Sequence, residues 1–296
     1  MTGSRLIVLM LLLGSISGCI FPEKEAVNDL QDKVNVVTTT VPLGHFVEVI
    51  GGDNVNVYVL IEPGTNPHTF EPKPSQMKLV ENADIYIKNG LGLEIWLEKM
   101  IAAKGEMLVV DSSDGVDPIE ATESADEIDH ADILNADPHI WLSVRNAMIM
   151  VENICDGLVE VDPANAEYYR ERRDDYQEKL RLMDSQMNAT FADAPQRKFL
   201  VLHPSWGYFA RDYDLEQIPI LITEKEPGPR YLTTIVDTAL ENGITTVFVD
   251  PNFNPKSAEI IAGEIGGSVV PLDPLAENYL ENIQHVGKDI RASLGP

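Results

Sequence analysis

The chain has 296 residues, 44% of them hydrophobic, and a formal net charge of -26 at pH 7. This size and composition suffice for one large or two ordinary globular domains with a substantial core. The charge argues against nucleic acid as a partner, because phosphates would repel a protein in which 48 acidic residues outnumber 22 basic ones.

The first 18 residues have the features of an export signal. Arg5 gives the start a positive charge, an unbroken apolar run covers residues 6–13, and small residues follow up to Cys19. The apolar run falls short of the roughly 20 residues that span a bilayer, so a lone transmembrane anchor is the weaker alternative. The small residues before Cys19 also resemble the lipobox of prokaryotic lipoproteins. We therefore expect a signal peptide over 1–18, a lipidated Cys19, a flexible tether over 19–33, and a chain held at the extracytoplasmic face of the cell membrane.

From residue 34 to residue 161 the sequence alternates short β-branched runs with helical stretches. This alternation predicts an α/β lobe with a largely parallel sheet covered by helices. The expected strands span 34–41, 55–61, 85–88 and 107–110, and the expected helices span 43–50, 75–82 and 93–104.

Within this lobe, residues 111–137 form an acidic segment with ten carboxylates, no lysine or arginine, and His130 as its one histidine. Such a segment cannot bury enough apolar surface to fold by itself, so we expect a solvated loop. The alternative is an auxiliary metal-collecting loop in which the carboxylates and His130 act as weak ligands.

Residues 162–194 predict one long helix that joins two lobes. Asp162 and Pro163 are a favourable N-cap and first helical residue, and neither proline nor glycine interrupts the following 30 or so residues. Large side chains recur at spacings of three and four, which predicts one buried helical face. Its members are Tyr169, Arg173, Tyr176, Leu180, Met183 and Met187. No sustained heptad is present, so a rigid strut is favoured over a coiled coil.

The alternation of strands and helices returns over residues 195–296. The expected strands span 199–202, 218–222, 246–249 and 268–272, and the expected helices span 206–213, 231–242, 255–265 and 276–293. The sequence therefore predicts an α/β protein of two lobes with mostly parallel sheets, joined by one long rigid linker helix.

Three of the six histidines, and one aspartate, lie beside prolines next to predicted strands or helices. His68 and His203 follow strands, His139 precedes a helix, and Asp273 follows the last strand. Ligands of open α/β sheets gather at the carboxyl ends of the strands, so an interlobe cleft would bring these four side chains together. Asp250, after another strand, is a candidate to support the ligands through hydrogen bonds.

Three neutral imidazoles and one carboxylate suit a tetrahedral Zn²⁺ ion. Because an imidazole binds metal only when it is neutral, and its ordinary pKa is about 6.5, metal binding is expected to weaken below about pH 6. Ligands this far apart lack the fixed local spacing of a zinc finger, so the spacing alone is a weak signal.

The histidine and aspartate segments resemble the ligand motifs of the zinc and manganese solute-binding proteins of ABC importers, the metal receptors with a helical backbone. The resemblance extends over the whole mature chain, and the segments that carry it are Pro67-His68, Asp137-Pro138-His139-Ile140-Trp141, Leu202-His203-Pro204 and Leu272-Asp273-Pro274-Leu275. It implies metal at the interface of two lobes, with His68, His139, His203 and Asp273 as ligands. It also implies a receptor without enzymatic activity, and a monomer is expected. The receptor would deliver its metal to a membrane permease that works with a separate ATPase chain.

Zinc is favoured over manganese as the cargo, because manganese receptors of this family tend to place a carboxylate where this chain has His203, and imidazole suits zinc. Mn²⁺ stays open as the alternative. A zinc metallohydrolase would need an open metal position for water, and the sequence contains no His-Glu-x-x-His motif. An adhesin-like surface lipoprotein is a further alternative. A receptor for a chelated metal or another organic ligand is the last, and it would need a wider, aromatic-lined cleft.

Overall fold

The computed structural model describes residues 33–97, 107–121, 136–221 and 227–295. The expected signal peptide, the lipidation site Cys19, the tether up to residue 32, and His130 lie outside these residues. No helix among the described residues has the length and apolar character required to cross a bilayer.

The N-terminal lobe is built on a four-stranded parallel sheet with the strand order β2-β1-β3-β4. The strands are β1 (Val34–Thr38), β2 (Val55–Val59), β3 (Ile85–Lys88) and β4 (Leu108–Asp111), and the helices are α1 (Val41–Gly51), α2 (Pro74–Glu81) and α3 (Val144–Val161). The first strand ends earlier than predicted, because Pro42 occupies the first turn of α1 and favours helix there.

The C-terminal lobe repeats this plan with the strand order β6-β5-β7-β8, again all parallel. Its strands are β5 (Lys198–Val201), β6 (Glu216–Pro219), β7 (Thr246–Val249) and β8 (Ser268–Pro271). Its helices are α5 (Gly207–Asp212), α6 (Pro229–Glu241), α7 (Lys256–Glu264) and α8 (Tyr279–Ser293). The two predicted α/β lobes with parallel sheets are therefore confirmed.

The linker helix α4 spans Ala166–Phe191 and has 26 residues, or about 39 Å at 1.5 Å per residue. A short 3-10 turn over Pro163–Asn165 precedes it, so the regular helix is shorter than the predicted 162–194. Its buried face contacts α1 and α3 in one lobe and α8 in the other. At Gly287 of α8 a Cβ would clash with the sulfur of Met187, so the missing side chain lets the two helices approach closely.

One hydrophobic core continues from the N-terminal lobe through α4 into the C-terminal lobe. It includes Val36 of β1, Trp141, Tyr176 of α4, Phe209 of α5 and Leu272 after β8, all with at most 3% of their surface exposed. Two smaller clusters belong to one lobe each. A core shared in this way opposes independent movement of the lobes, because separation would expose apolar surface.

The described ends of the acidic segment 111–137 are more ordered than a solvated loop. Asp111 is the last residue of β4, Glu120 and Ala136 form an antiparallel bridge, and Ile119 packs against the main core. Asp137 is only 3% exposed. Local composition did not reveal these contacts, because the partners of these residues lie in the rest of the fold. The predicted auxiliary ligand His130 lies outside the described residues.

Candidate metal centre

The three predicted histidine ligands come together where the two lobes meet. His68 lies in a 3-10 turn, Pro67–Thr69, after β2, and His203 follows β5. His139 lies immediately before the 3-10 turn Ile140–Leu142 that leads into α3. They form a group in which one ligand atom from each residue lies within 4.8 Å of the others. This placement agrees with the rule that parallel sheets gather ligands at the carboxyl ends of their strands.

The Nε2 atom of His139 lies close to those of both other histidines. It lies 3.3 Å from His68 Nε2 and 3.3 Å from His203 Nε2. Two nitrogens bound to one tetrahedral zinc at about 2.0–2.1 Å are separated by about 3.3–3.4 Å. Both separations therefore match the distance between two nitrogens that bind one zinc ion, and the third pair lies within 4.8 Å.

His139 is held by a buried carboxylate. Asp137 Oδ1 accepts a hydrogen bond from His139 Nδ1 at 2.7 Å and another from its backbone N–H at 2.8 Å. The bond at Nδ1 places the proton on that nitrogen and leaves the lone pair of Nε2 for a metal, which is the usual arrangement for a metal-binding histidine. Tyr208 of α5 donates to the Asp137 carbonyl at 2.7 Å, so the C-terminal lobe also braces this segment.

His203 is enclosed in the C-terminal lobe. It is 3% exposed, and its ring stacks on Phe253 with the ring centroids 4.6 Å apart. Burial, followed by the electrostatic effects of His139 and His68, lowers the pKa of His203 well below its ordinary value. The ring therefore stays neutral, as metal binding requires.

His68 is the most accessible of the three, and its backbone N–H is capped by the Asn66 side chain at 2.9 Å. Loss of hydration around the ring, together with His139, lowers the pKa of His68 to about 3. Both rings are therefore neutral more readily than an ordinary imidazole, which favours metal binding. The expected weakening of metal binding below about pH 6 stays a prediction.

Asp273 follows β8 at the same edge of the C-terminal sheet, but the histidine group does not include it. Its Oδ1 accepts a hydrogen bond from Leu275 N–H at 2.8 Å. The next residue, Pro274, accepts a 2.7 Å hydrogen bond from the indole of Trp141, two residues after His139. The loop that carries Asp273 therefore lies against the loop that carries His139.

Asp250, the predicted supporting residue, is 3% exposed and follows β7. Ser205 donates to its carboxylate at 3.4 Å, so Asp250 contacts the loop that carries His203. Burial raises the pKa of Asp250 to about 7. The electrostatic effect of His139 lowers this pKa, whereas that of Asp273 raises it. The buried carboxyl group of Asp250 thus interacts with His139 and lies beside the loop that carries His203.

Two contacts of this site were not predicted from the sequence. The role of Asp137 could have been inferred from the segment Asp137-Pro138-His139, because an aspartate two residues before a histidine can reach both its backbone and its ring. The stacking of Phe253 on His203 had no such signal, because 50 residues separate the two in the chain.

Comparison with known proteins identifies the family and the fold of this chain. The family model described as zinc-uptake complex component A, periplasmic, matches residues 36–293. The high-affinity zinc uptake system protein ZnuA of Bacillus subtilis is 32% identical over 257 residues, which cover 82% of this chain and 79% of the relative. The manganese-binding lipoprotein MntA of Halalkalibacterium halodurans is 30% identical over 291 residues and 94% of each chain.

A crystal structure of ZnuA superposes with a TM-score of 0.82 and 39% sequence identity, over 89% of this chain and all of the other. The resemblance inferred from the histidine and aspartate motifs is therefore confirmed at the levels of sequence and fold. With the family model matching most of its length, this chain belongs to the ZnuA family of metal-binding solute-binding proteins.

Proposed function

We propose that this protein is an extracytoplasmic receptor that captures Zn²⁺ between its two lobes and delivers it to the permease of an ABC importer. The ATPase of that importer is a separate chain, and the receptor acts as a monomer held to the membrane by a lipid on Cys19. The protein is not an enzyme in this proposal, since the metal is its cargo.

The observation that carries the proposal is the spacing of the three Nε2 atoms, with His139 Nε2 3.3 Å from each of the others. Three imidazoles favour zinc over manganese, which prefers oxygen ligands. Low pKa values at His68 and His203 remove the cost of displacing protons from these two ligands when zinc binds.

Asp273 is the proposed fourth ligand. The Trp141–Pro274 hydrogen bond holds its loop against the His139 loop. To bind the metal, the Asp273 carboxylate would give up its hydrogen bond from Leu275 N–H and turn toward the histidines. A carboxylate would complete a tetrahedral shell and lower the net charge of the bound ion.

The test is a competition titration of the purified metal-free protein with Zn²⁺ against a chelator of known affinity. We expect one Zn²⁺ per chain, and a loss of at least about 100-fold in affinity for His203→Ala, beyond the range for residues that only support ligands. His285→Ala, on α8 and outside the histidine group, is the matched control and should bind as the wild type does. Wild-type affinity in His203→Ala would refute the proposed site.

Manganese is the second candidate cargo, because the relative MntA is named for it and because the buried carboxyl group of Asp250 interacts with His139. The same titration with Mn²⁺ separates the two. Asp273→Ala should weaken Mn²⁺ binding by a larger factor than Zn²⁺ binding, since manganese depends more on oxygen ligands. Tighter binding of Mn²⁺ than of Zn²⁺ by the wild type would replace zinc with manganese as the proposed cargo.

A further inference from the structure

A buried, hydrogen-bonded loop contacts Pro138, the residue before His139. It follows β3 and runs from Asn89 to Glu94, and neither of these two residues exposes more than 3% of its surface. Three consecutive residues in it, Gly90, Leu91 and Gly92, have φ values of 89°, 50° and 82°. Such backbone conformations are unfavourable for a residue such as Leu91 and persist only where the surroundings impose them.

Glu94 imposes the shape of this loop. Its carboxylate accepts hydrogen bonds from the backbone N–H of Asn89 at 2.6 Å, from that of Gly90 at 3.2 Å, and from the hydroxyl of Thr39 at 2.5 Å. Tyr86 lies 2.7 Å from the same hydroxyl. Because Thr39 gives its proton to the carboxylate, the Tyr86 hydroxyl donates to Thr39. Burying this carboxylate opposes folding and raises the pKa of Glu94 to about 7.

Asn89 transmits the constraint to the candidate metal centre. Its N–H is bound by Glu94 and its carbonyl accepts from the Ser112 hydroxyl at 3.1 Å, so its backbone is fixed on both sides. Its side-chain Nδ2 donates to the carbonyl of Pro138 at 2.9 Å. Proline has no N–H, so this carbonyl, which also accepts a hydrogen bond from Ile140 N–H at 2.8 Å, is the main-chain group through which residue 138 is held.

The orientation of the Asn89 amide is costly, which indicates that the donor is needed where it is. Nδ2 faces two carbonyl oxygens, those of Pro138 and Gly90, while Oδ1 is buried and has no hydrogen-bond partner among the described residues. A buried acceptor without a partner lowers stability. The protein retains this cost and keeps the hydrogen bond to the residue before His139.

We propose that Asn89, held by Glu94, is a positioning residue that fixes the Pro138–His139 peptide and so sets the location of His139 Nε2. This inference rests on the proposed function, because it assumes that His139 binds the metal. The spacing of 3.3 Å from His139 Nε2 to each neighbour leaves little tolerance, since a metal site depends on placement within about 0.5 Å.

Zinc affinity of Asn89→Ala is the first test, by chelator competition on the full chain, with Co²⁺ absorption as a report of ligand geometry. We expect a loss of about 10-fold in Zn²⁺ affinity and an altered Co²⁺ spectrum, in the range observed for residues that orient a metal ligand. Gln196→Ala is the matched control. Gln196 lies just before β5, away from the carboxyl ends of the strands, and its amide donates to the Asn242 carbonyl at 2.6 Å. The Gln196→Ala variant should therefore lose stability without losing Zn²⁺ affinity.

A second variant tests whether Glu94 acts on the metal centre through Asn89. It also tests the proposal if Asn89→Ala does not fold. Glu94→Gln removes one acceptor oxygen and should lower Zn²⁺ affinity by a smaller factor than Asn89→Ala. In the double variant the two losses should not multiply, because Glu94 acts through Asn89. If the two losses in Zn²⁺ affinity multiply fully, Glu94 does not act through Asn89. If a folded Asn89→Ala variant binds Zn²⁺ as tightly as the wild type, the proposal is wrong. If Asn89→Ala does not fold, wild-type affinity in Glu94→Gln has the same meaning.

The two hypotheses fail in different ways. If the wild type does not bind Zn²⁺, or if His139→Ala binds as tightly as the wild type, the proposed function is wrong. If His139→Ala abolishes binding while Asn89→Ala leaves both affinity and the Co²⁺ spectrum unchanged, only the positioning role is wrong.

Discussion

The loops that carry His139 and His68 differ in how firmly they are held, although both belong to the N-terminal lobe. His139 lies between Asp137, which binds its ring and backbone, and the Trp141–Pro274 hydrogen bond to the other lobe. His68 is more accessible, and the Asn66 side chain accepts a hydrogen bond from its backbone N–H rather than from its ring. The site therefore combines one firmly held ligand with a more accessible one, which suits an ion that must enter and leave.

The strongest challenge to this comparison is to remove each histidine in turn. His139→Ala should lose more Zn²⁺ affinity than His68→Ala, because His139 is the more buried of the two ligands and Asp137 already orients its ring for binding. We expect at least about 100-fold for His139→Ala, beyond the 10–100-fold range for supporting residues. Chelator competition measures both losses. Equal losses would show that the two loops contribute alike.

A medium effect is expected when the support of His139 is weakened and its ring is kept. Asp137→Asn replaces a charged acceptor with a neutral one and should reduce Zn²⁺ affinity by about 10-fold or more, in the range for carboxylates that orient a metal-binding histidine. Asn66→Ala makes the equivalent change on the His68 side and should cost less affinity. An Asn66→Ala loss as large as that of Asp137→Asn would contradict the proposed difference in support.

The smallest effect concerns acid and the metal-free protein. The pKa of His68 is about 3 in the folded state and about 6.5 in the unfolded chain. The unfolded state therefore takes up a proton first, so the folded state loses stability as the pH falls from about 6.5 towards 3. His68→Asn removes this contribution. Urea unfolding at pH 7.5, 6 and 5 should show a shallower loss of stability in the variant than in the wild type, and parallel curves would exclude a lowered pKa at His68.

Most of the fold could be predicted because its signals are local. The strands at 85–88 and 246–249 were predicted with the observed bounds, since β-branched runs bounded by turn residues define buried parallel strands. The ends of α4 were misplaced, because Pro163 starts a 3-10 turn before the regular helix. A favourable N-cap and a helical composition predict that a helix begins, but they do not show whether its first turn is a 3-10 turn or regular α-helix.

The candidate site was predictable only in part. The strand–loop–histidine pattern placed His68, His139 and His203 at one edge, and the structure brings them together. The interactions that hold them join residues far apart in the chain, such as Asn89 with Pro138 and Trp141 with Pro274. No local periodicity encodes such pairs. The ligand role of Asp273 stays a prediction.

The single core that runs through both lobes and α4 limits how this receptor can be rebuilt. A chimaera made by exchanging one whole lobe would leave α4 with a foreign partner on one side, where Met187 fits against Gly287. Engineers who wish to change the cargo should therefore alter the loops at the carboxyl ends of the strands and leave the lobes as a matched pair. The same architecture makes either lobe, expressed alone, a poor candidate for a soluble fragment.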